Sequence, residues 1–178
     1  MALLEISPSP PAIFATKQPD MSHHINALIG KRSVLAGLID RLGIPAPTDL
    51  PFDLVIIPLD EGRLDALALS SAPAYDGFTY LTPDIVSVIA LALDGGAALY
   101  IETDYFGGIG GQAAGLVQNG SLVWSAVSSN ENSVSLPDKT PISAGLAKLG
   151  VIAEAGRDEF DEVGLVRFRS LDALGLDD

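Results

Sequence analysis

The chain has 178 residues, a formal net charge of −13 at pH 7, and no cysteine. Disulfides, thiolate nucleophiles and thiolate metal sites are therefore excluded, and this excess of acids disfavours binding to nucleic-acid phosphates and to anionic lipid. Apolar residues make up 48% of the chain, which is enough to bury one hydrophobic core at this length.

Composition divides the chain into three parts. Residues 1–20 are rich in proline and serine and lack apolar periodicity, so we expect a disordered tail there. Residues 21–170 are expected to form a single α+β domain, followed by an acidic tail over residues 171–178. The longest apolar run, Ile85 to Leu93, is shorter than the ~20 residues that cross a bilayer, and the N-terminus lacks the basic segment of a secretory signal. The expected location is the cytoplasm, with no membrane partner.

Hydrophobic periodicity and capping residues predict several elements in the first half of the chain. They are a short strand over Asn26 to Ile29, a helix over Ser33 to Leu42, a strand over Phe52 to Leu59, a short helix from Asp60 to Leu69, and a helix from Thr82 to Leu93. The apolar run that ends at Leu59 is unbroken, which is typical of a strand buried on both faces. Asp60 and Thr82 are the candidate N-caps, and Pro83 follows Thr82 at the first helical position.

A three-stranded antiparallel meander is predicted next. Apolar and polar residues alternate from Leu99 to Asp104, which is the period of a strand. Gln112 to Val117 is the second predicted strand and Ser121 to Val127 the third. Asn119-Gly120 joins them, because a type I′ turn needs positive φ at both of its central positions.

The last elements complete the expected fold class. A helix is predicted over Pro141 to Leu149, whereas Phe160 to Phe168 fits either a closing helix or an edge strand. The predicted class is α+β: a mainly antiparallel sheet that contains the meander, with helices packed on one face.

The glycine-rich segment from Glu102 to Gln112 is the main candidate for a functional surface. Its four glycines leave backbone that a partner can approach closely, and polar side chains cluster around them. The candidate partner-binding or ligand-binding residues are Glu102, Asp104, Tyr105, Gly108, Gly110 and Gln112. The simpler interpretation is a hairpin connector, in which the glycines only supply positive φ or a bulge.

A nucleotide site is not favoured in this segment. Gly108, Gly110 and Ala113 fit a G-x-G-x-x-A fingerprint, but that fingerprint needs a long helix, and Asn119-Gly120 ends the segment too early. No Gly-Lys-Ser or Gly-Lys-Thr follows, so a P-loop is excluded. No cofactor is expected.

A local resemblance covers Tyr100 to Trp124. The run Tyr-Phe-Gly-Gly-x-Gly-x-Gln, which begins at Tyr105, is followed by a short strand, Asn119-Gly120 and the tryptophan. This pattern resembles a segment of small uncharacterised bacterial proteins, some of which look like immunity proteins of toxin systems. The resemblance implies no catalytic residue in this chain.

The residues that carry metal and hydrolytic chemistry are few. His23 and His24 are the only histidines, and neighbours on a strand point to opposite faces, so they do not easily share a metal ion. Glu102 and Asp104 face one side of the predicted strand. That arrangement suits acid–base catalysis or a hard cation, and it is also common on a solvated sheet face. No catalytic residue and no metal ligand are predicted.

The distribution of acids indicates the kind of partner. No Lys or Arg occurs between Arg63 and Lys139, and a second acidic cluster lies within residues 154–162. The leading interpretation is a non-enzymatic acidic protein that binds a basic protein, and an immunity-type antitoxin is one protein of this kind. The alternative is a small-ligand-binding or hydrolytic domain with the loop Gly107 to Gly111 as its pocket rim. A deep polar pocket beside that loop favours the alternative, and a flat acidic patch favours the leading interpretation.

Overall fold

A computed structural model describes residues 23–68, 72–106, 109–129 and 139–176. The strands are β1 (His23–Lys31), β2 (Thr48–Leu50), β3 (Leu54–Pro58), β4 (Ala97–Phe106), β5 (Ile109–Gln118) and β6 (Ser121–Ser129). The helices are α1 (Arg32–Arg41), α2 (Glu61–Leu67), α3 (Pro83–Ala92), α4 (Pro141–Lys148) and α5 (Glu159–Glu162). Two 3-10 turns, Leu165–Arg167 and Asp172–Leu174, follow α5. The predicted disordered tail of residues 1–20 and the candidate Gly108 lie outside the described residues.

Within the described residues, the strands form one antiparallel sheet in the order β2-β3-β1-β4-β5-β6. β1 pairs with β3 on one side and with β4 on the other, so the first described strand is central. It extends beyond its predicted span, residues 26–29, because a central strand is held by hydrogen bonds to two neighbours. The α+β class is confirmed, and β4, β5 and β6 form the predicted meander.

Helices cover both faces of the sheet, so the prediction that they pack on one face is wrong. One core lies between the sheet and α1, α2 and α3, and it includes Leu28 and Tyr100. The second core lies between the opposite face and α4, and it includes Ile29 and Leu99. The physical reason is that the central strands bury apolar residues at successive positions, which requires cover on both faces. None of the described helices has the length and apolar character that crossing a membrane requires.

The predicted helix caps and hairpin turn are confirmed. Asp60 caps α2 by accepting a 2.8 Å hydrogen bond from the Arg63 amide, and Thr82 caps α3 ahead of Pro83. Asn119 and Gly120 have φ of 51° and 85°, the signs that a type I′ turn requires.

Several boundaries differ from the predictions. The strand expected from Phe52 begins at Leu54, because Phe52 and its neighbour have φ of 65° and 59° in the turn that joins β2 to β3. Neither a long helix nor a strand covers residues 160–168, since Gly164, with φ of 74°, separates α5 from a 3-10 turn. Leu174 is 4% exposed, so the start of the expected acidic tail packs on the core.

The β5–β6 turn supplies a direct test of the meander. Replacing Gly120 by valine should lower the free energy of unfolding by about 1–3 kcal/mol, because a β-branched residue is strained at positive φ. No atom lies within 4 Å of the added Cβ, so the loss would come from the backbone rather than from a clash. Urea melts of Gly120→Val and of the control Ser121→Val measure it. Equal stability of the two variants would contradict the turn.

Candidate functional site

A cavity opens beside the β4–β5 hairpin, on the sheet face that α1, α2 and α3 cover. Its volume is about 340 Å³. Residues of β1, β4, β5 and β6 and of the loop 75–81 form its wall. Its polar lining includes His24, Asn26, Thr79, Glu102, Asp104 and Ser128. The structure therefore places a polar pocket beside the glycine-rich segment, rather than a flat acidic surface.

The cavity has room because the facing positions of β5 carry small residues. The register places Gly111 opposite Asp104 and Ala113 opposite Glu102. Directly opposite residues of paired strands point to the same face, so large side chains at these β5 positions would fill the space above the sheet. The composition of the glycine-rich strand is thus a cause of the pocket.

The expected loop Gly107 to Gly111 is shorter in the structure, since Gly110 and Gly111 belong to β5. At Gly110, φ is 152°, and a Cβ would lie only 1.8 Å from the carbonyl oxygen of Asp104. No side chain fits there without moving the backbone. Gly110 and Gly111 both line the cavity. A hairpin role and a binding role are therefore compatible at these positions.

Glu102 is 6% exposed, which differs from the expected solvated carboxylate. Its oxygens accept hydrogen bonds from the backbone amides of Thr79 (2.6 Å), Tyr80 (2.9 Å) and Leu81 (3.1 Å) and from the hydroxyl of Tyr100 (2.9 Å). Charge-assisted bonds of this kind are roughly twice as strong as neutral ones. Glu102 thus holds the loop 75–81 on the sheet and forms one wall of the cavity.

The hydroxyl that faces Glu102 stays protonated. Tyr100 is fully buried, and burial together with the adjacent carboxylate raises the pKa of its phenol far above the usual value. It therefore acts as a hydrogen-bond donor to Glu102, not as a proton-transfer group.

Asn26 lies directly opposite Glu102 in the sheet and lines the cavity. It is 5% exposed, yet among the described residues no hydrogen bond to its side-chain amide is formed, and neither polar atom of the amide is fully shielded. The amide therefore faces the open space. Sequence reasoning missed this residue, although a polar residue inside the apolar stretch from Ile25 to Ile29 was an available signal.

His24 and Asp104 stand at the more open end of the cavity. The distance from His24 Nδ1 to Asp104 Oδ1 is 3.8 Å, and the two side chains are 54% and 88% exposed. Both are free enough to reorient towards a bound molecule. Sequence reasoning considered His24 for metal binding but did not pair it with Asp104, because the two residues are far apart along the chain.

The structure divides the predicted patch between the two faces of the sheet. Tyr105 and Gln112 lie on the α4 side, where the Gln112 amide oxygen accepts a 3.4 Å hydrogen bond from the Ile142 amide. Burial raises the pKa of Tyr105, and its hydrogen bond to Gln112 opposes that rise. Gln112 also borders the cavity. Glu102 and Asp104 share the cavity face, so the candidates that the structure describes do not form one surface.

Much of the second acidic cluster is engaged within the protein. Glu159 is buried and paired with Lys139, and Glu162 lies 3.4 Å from Arg157. Asp158 caps α5. Among the described residues, no group of three or more His, Cys, Asp or Glu could hold a metal ion.

Comparison of the chain with protein-family models, with curated proteins and with solved structures gives no match. The geometry of the cavity is therefore the evidence on which a function can be proposed.

The Glu102 contacts predict a large effect on stability. Glu102→Gln should lower the free energy of unfolding by about 2–4 kcal/mol, because the amide NH2 cannot accept and leaves backbone donors without a partner. Asp104→Asn, two residues along the same strand face, is the matched control and should change it by no more than about 0.5 kcal/mol. Denaturant melts measure both. Similar values for the two variants would contradict the anchoring role.

His23 predicts a pH dependence of stability. Its Nδ1 lies 2.8 Å from the Thr103 hydroxyl and its ring contacts Phe160. Burial, as the main cause, lowers the pKa of His23 below 6.5. The unfolded chain therefore binds a proton more readily than the folded chain, and this residue's contribution to stability is lost as pH falls below about 6.5.

Two variants isolate this contribution. The free energy of unfolding should fall less steeply between pH 7 and pH 5 for His23→Asn than for the unmodified protein, whereas Ser121→Val, which removes no titratable group, should keep the original slope. The pH range of about 5 to 7 brackets the ordinary titration of histidine. Chemical melts at each pH give the slopes, and parallel slopes for all three proteins would rule out the role of His23.

Proposed function

We propose that the protein binds a small polar molecule in the cavity between β1, β4, β5 and the loop 75–81. The observation that carries this proposal is the amide of Asn26, which is 5% exposed and faces the cavity without a hydrogen-bond partner among the described residues. The amide therefore keeps unused donors and an unused acceptor at the cavity wall. A polar ligand in the cavity can form hydrogen bonds with these groups.

The walls of the cavity support binding because they are held in place before any ligand arrives. Glu102 fixes the loop 75–81 through three successive backbone amides. The β5 floor is part of the sheet and needs no rearrangement. A preformed site loses little conformational entropy when a ligand binds, and this raises its affinity for small ligands.

Binding without catalysis fits the site better than hydrolysis. Paired-carboxylate hydrolysis needs one carboxyl that gives or takes a proton and a second that acts on the substrate. Glu102 already accepts four hydrogen bonds, three of them from backbone amides of the loop 75–81. Breaking those three bonds would detach the loop from the sheet. Asp104 is left as a single exposed carboxylate.

The basic protein partner, in the manner of an immunity-type antitoxin, stays a hypothesis. It was based on the free acidic surface, and several of those acids bond within the protein instead: Glu102, Asp158, Glu159 and Glu162. The geometry therefore supports a small-ligand site more directly than a protein interface.

Two valines of β6 provide a matched test. Val127 lines the cavity and is 46% exposed, while Val123 on the same strand is 49% exposed and is outside the cavity lining. Val127→Trp should fill the space, because the valine side chain already borders it beside Gly77. Val123→Trp adds the same bulk elsewhere.

Saturation-transfer-difference NMR with a library of small polar fragments measures the outcome. Fragments should bind to the unmodified protein and to Val123→Trp but not to Val127→Trp. Melting temperatures of the same samples show that each variant is folded. A library without hits, or hits that bind all three proteins alike, would reject the cavity as a ligand site.

A further inference from the structure

We infer that the ligand of this cavity is a small aliphatic amine, bound as its ammonium ion between Glu102, Asn26 and Asp104. This inference rests on the proposed function and names the chemical class of the ligand. It follows from the charge of the lining, from the hydrogen-bonding capacity left in the site, and from the division of the wall into polar and apolar parts.

The charge of the lining favours a cation. Two carboxylates, Glu102 and Asp104, line the cavity, and no Lys or Arg is among the described residues that do so. No Lys or Arg occurs anywhere in the sequence between Arg63 and Lys139. A concave site with walls of low dielectric concentrates the field of such charges, so it attracts cations and repels phosphate and carboxylate groups.

The remaining hydrogen-bonding capacity matches an ammonium group. Oε1 of Glu102 accepts from Tyr80, Leu81 and the Tyr100 hydroxyl, whereas Oε2 accepts only from Thr79 among the described residues. Oε2 thus has one donor against the three on Oε1, and it retains capacity for another.

The amide oxygen of Asn26 and the carboxylate of Asp104 complete a set of acceptors. Asn26 is the direct cross-strand partner of Glu102, which places their Cβ atoms roughly 5 Å apart. Asp104 follows two residues later on the same face, roughly 7 Å along the strand. An ammonium carries three donors and no acceptor, and these three residues offer acceptors on different sides of one small space.

The apolar part of the wall suits a short hydrocarbon chain. Ala113 and Val127 face each other across β5 and β6 and both line the cavity. The volume of about 340 Å³ lies at the small end of the range for ligand pockets. An aliphatic amine of a few carbons places its methylene groups against these side chains and its charge against the acids.

Three compounds of equal chain length distinguish the ligand classes. Putrescine carries ammonium groups, butanediol carries hydroxyls and succinate carries carboxylates on the same four-carbon chain. Isothermal titration of the full chain should show binding of putrescine and at least tenfold weaker binding of the other two. Calcium chloride, titrated in parallel, should bind more weakly than putrescine.

Variants locate the binding. Asp104→Asn should weaken the binding of putrescine about threefold, which is the scale of an exposed ion pair. Asp94→Asn removes the same charge outside the cavity and should change the affinity for putrescine by no more than about twofold. Asn26→Leu should weaken the binding of putrescine about tenfold or more. The melting temperature of this variant would show that the protein remains folded. Val127→Trp should abolish binding.

The outcomes separate this inference from the proposed function. Equal or tighter binding of butanediol, succinate or calcium at the same site would overturn the amine assignment and leave a ligand site in place. Putrescine binding that survives Val127→Trp, or that falls as much with Asp94→Asn as with Asp104→Asn, would show attraction to the acidic surface in general. Either result would overturn the inference. Failure of all probes together with an empty fragment screen would overturn both.

Discussion

Glu102 joins the sheet to a loop that has no regular secondary structure, and the cavity depends on this contact. Its carboxylate accepts hydrogen bonds from the backbone amides of three successive residues and from the Tyr100 hydroxyl. In a buried setting these charge-assisted bonds are strong, and losing one partner leaves the others unsatisfied. The loop therefore keeps one position above the sheet. Thr79 and Tyr80 become a fixed wall opposite Asn26.

The small residues of β5 are the second constraint. Gly110 permits a close approach of the two hairpin strands, since any Cβ would overlap the Asp104 carbonyl. Gly111 and Ala113 leave the face beside Asp104 and Glu102 open. The sequence alone left open whether these glycines form a hairpin connector or a binding edge. In the structure the same glycines serve the hairpin geometry and create the space next to it.

The net charge of −13 is divided between structural and surface roles. Glu159 and Glu162 pair with Lys139 and Arg157, and the carboxylate of Glu102 is held by hydrogen bonds from backbone amides rather than by a cation of the protein. Asp104 is by contrast 88% exposed at the cavity. The excess of acids does not by itself locate an interaction surface, because a count of charges does not show which of them already have partners.

Local rules were enough to predict the helix caps at Asp60 and Thr82, the Asn119-Gly120 turn, the meander and the α+β class, since these depend on neighbours in the sequence. They also indicated that Glu102 and Asp104 share a face, because alternation along a strand is local. Tertiary pairing decided the rest. The alignment of β1 with β4 brings Asn26 to Glu102 and His24 to Asp104, across nearly 80 residues of chain. The register of β5 with β4 places Gln112 opposite Thr103, so its amide bonds to α4 although the residue also borders the cavity. A buried carboxylate cannot be told from a solvated one in the sequence, because the hydrogen-bond donors of Glu102 come from a separate segment of the chain.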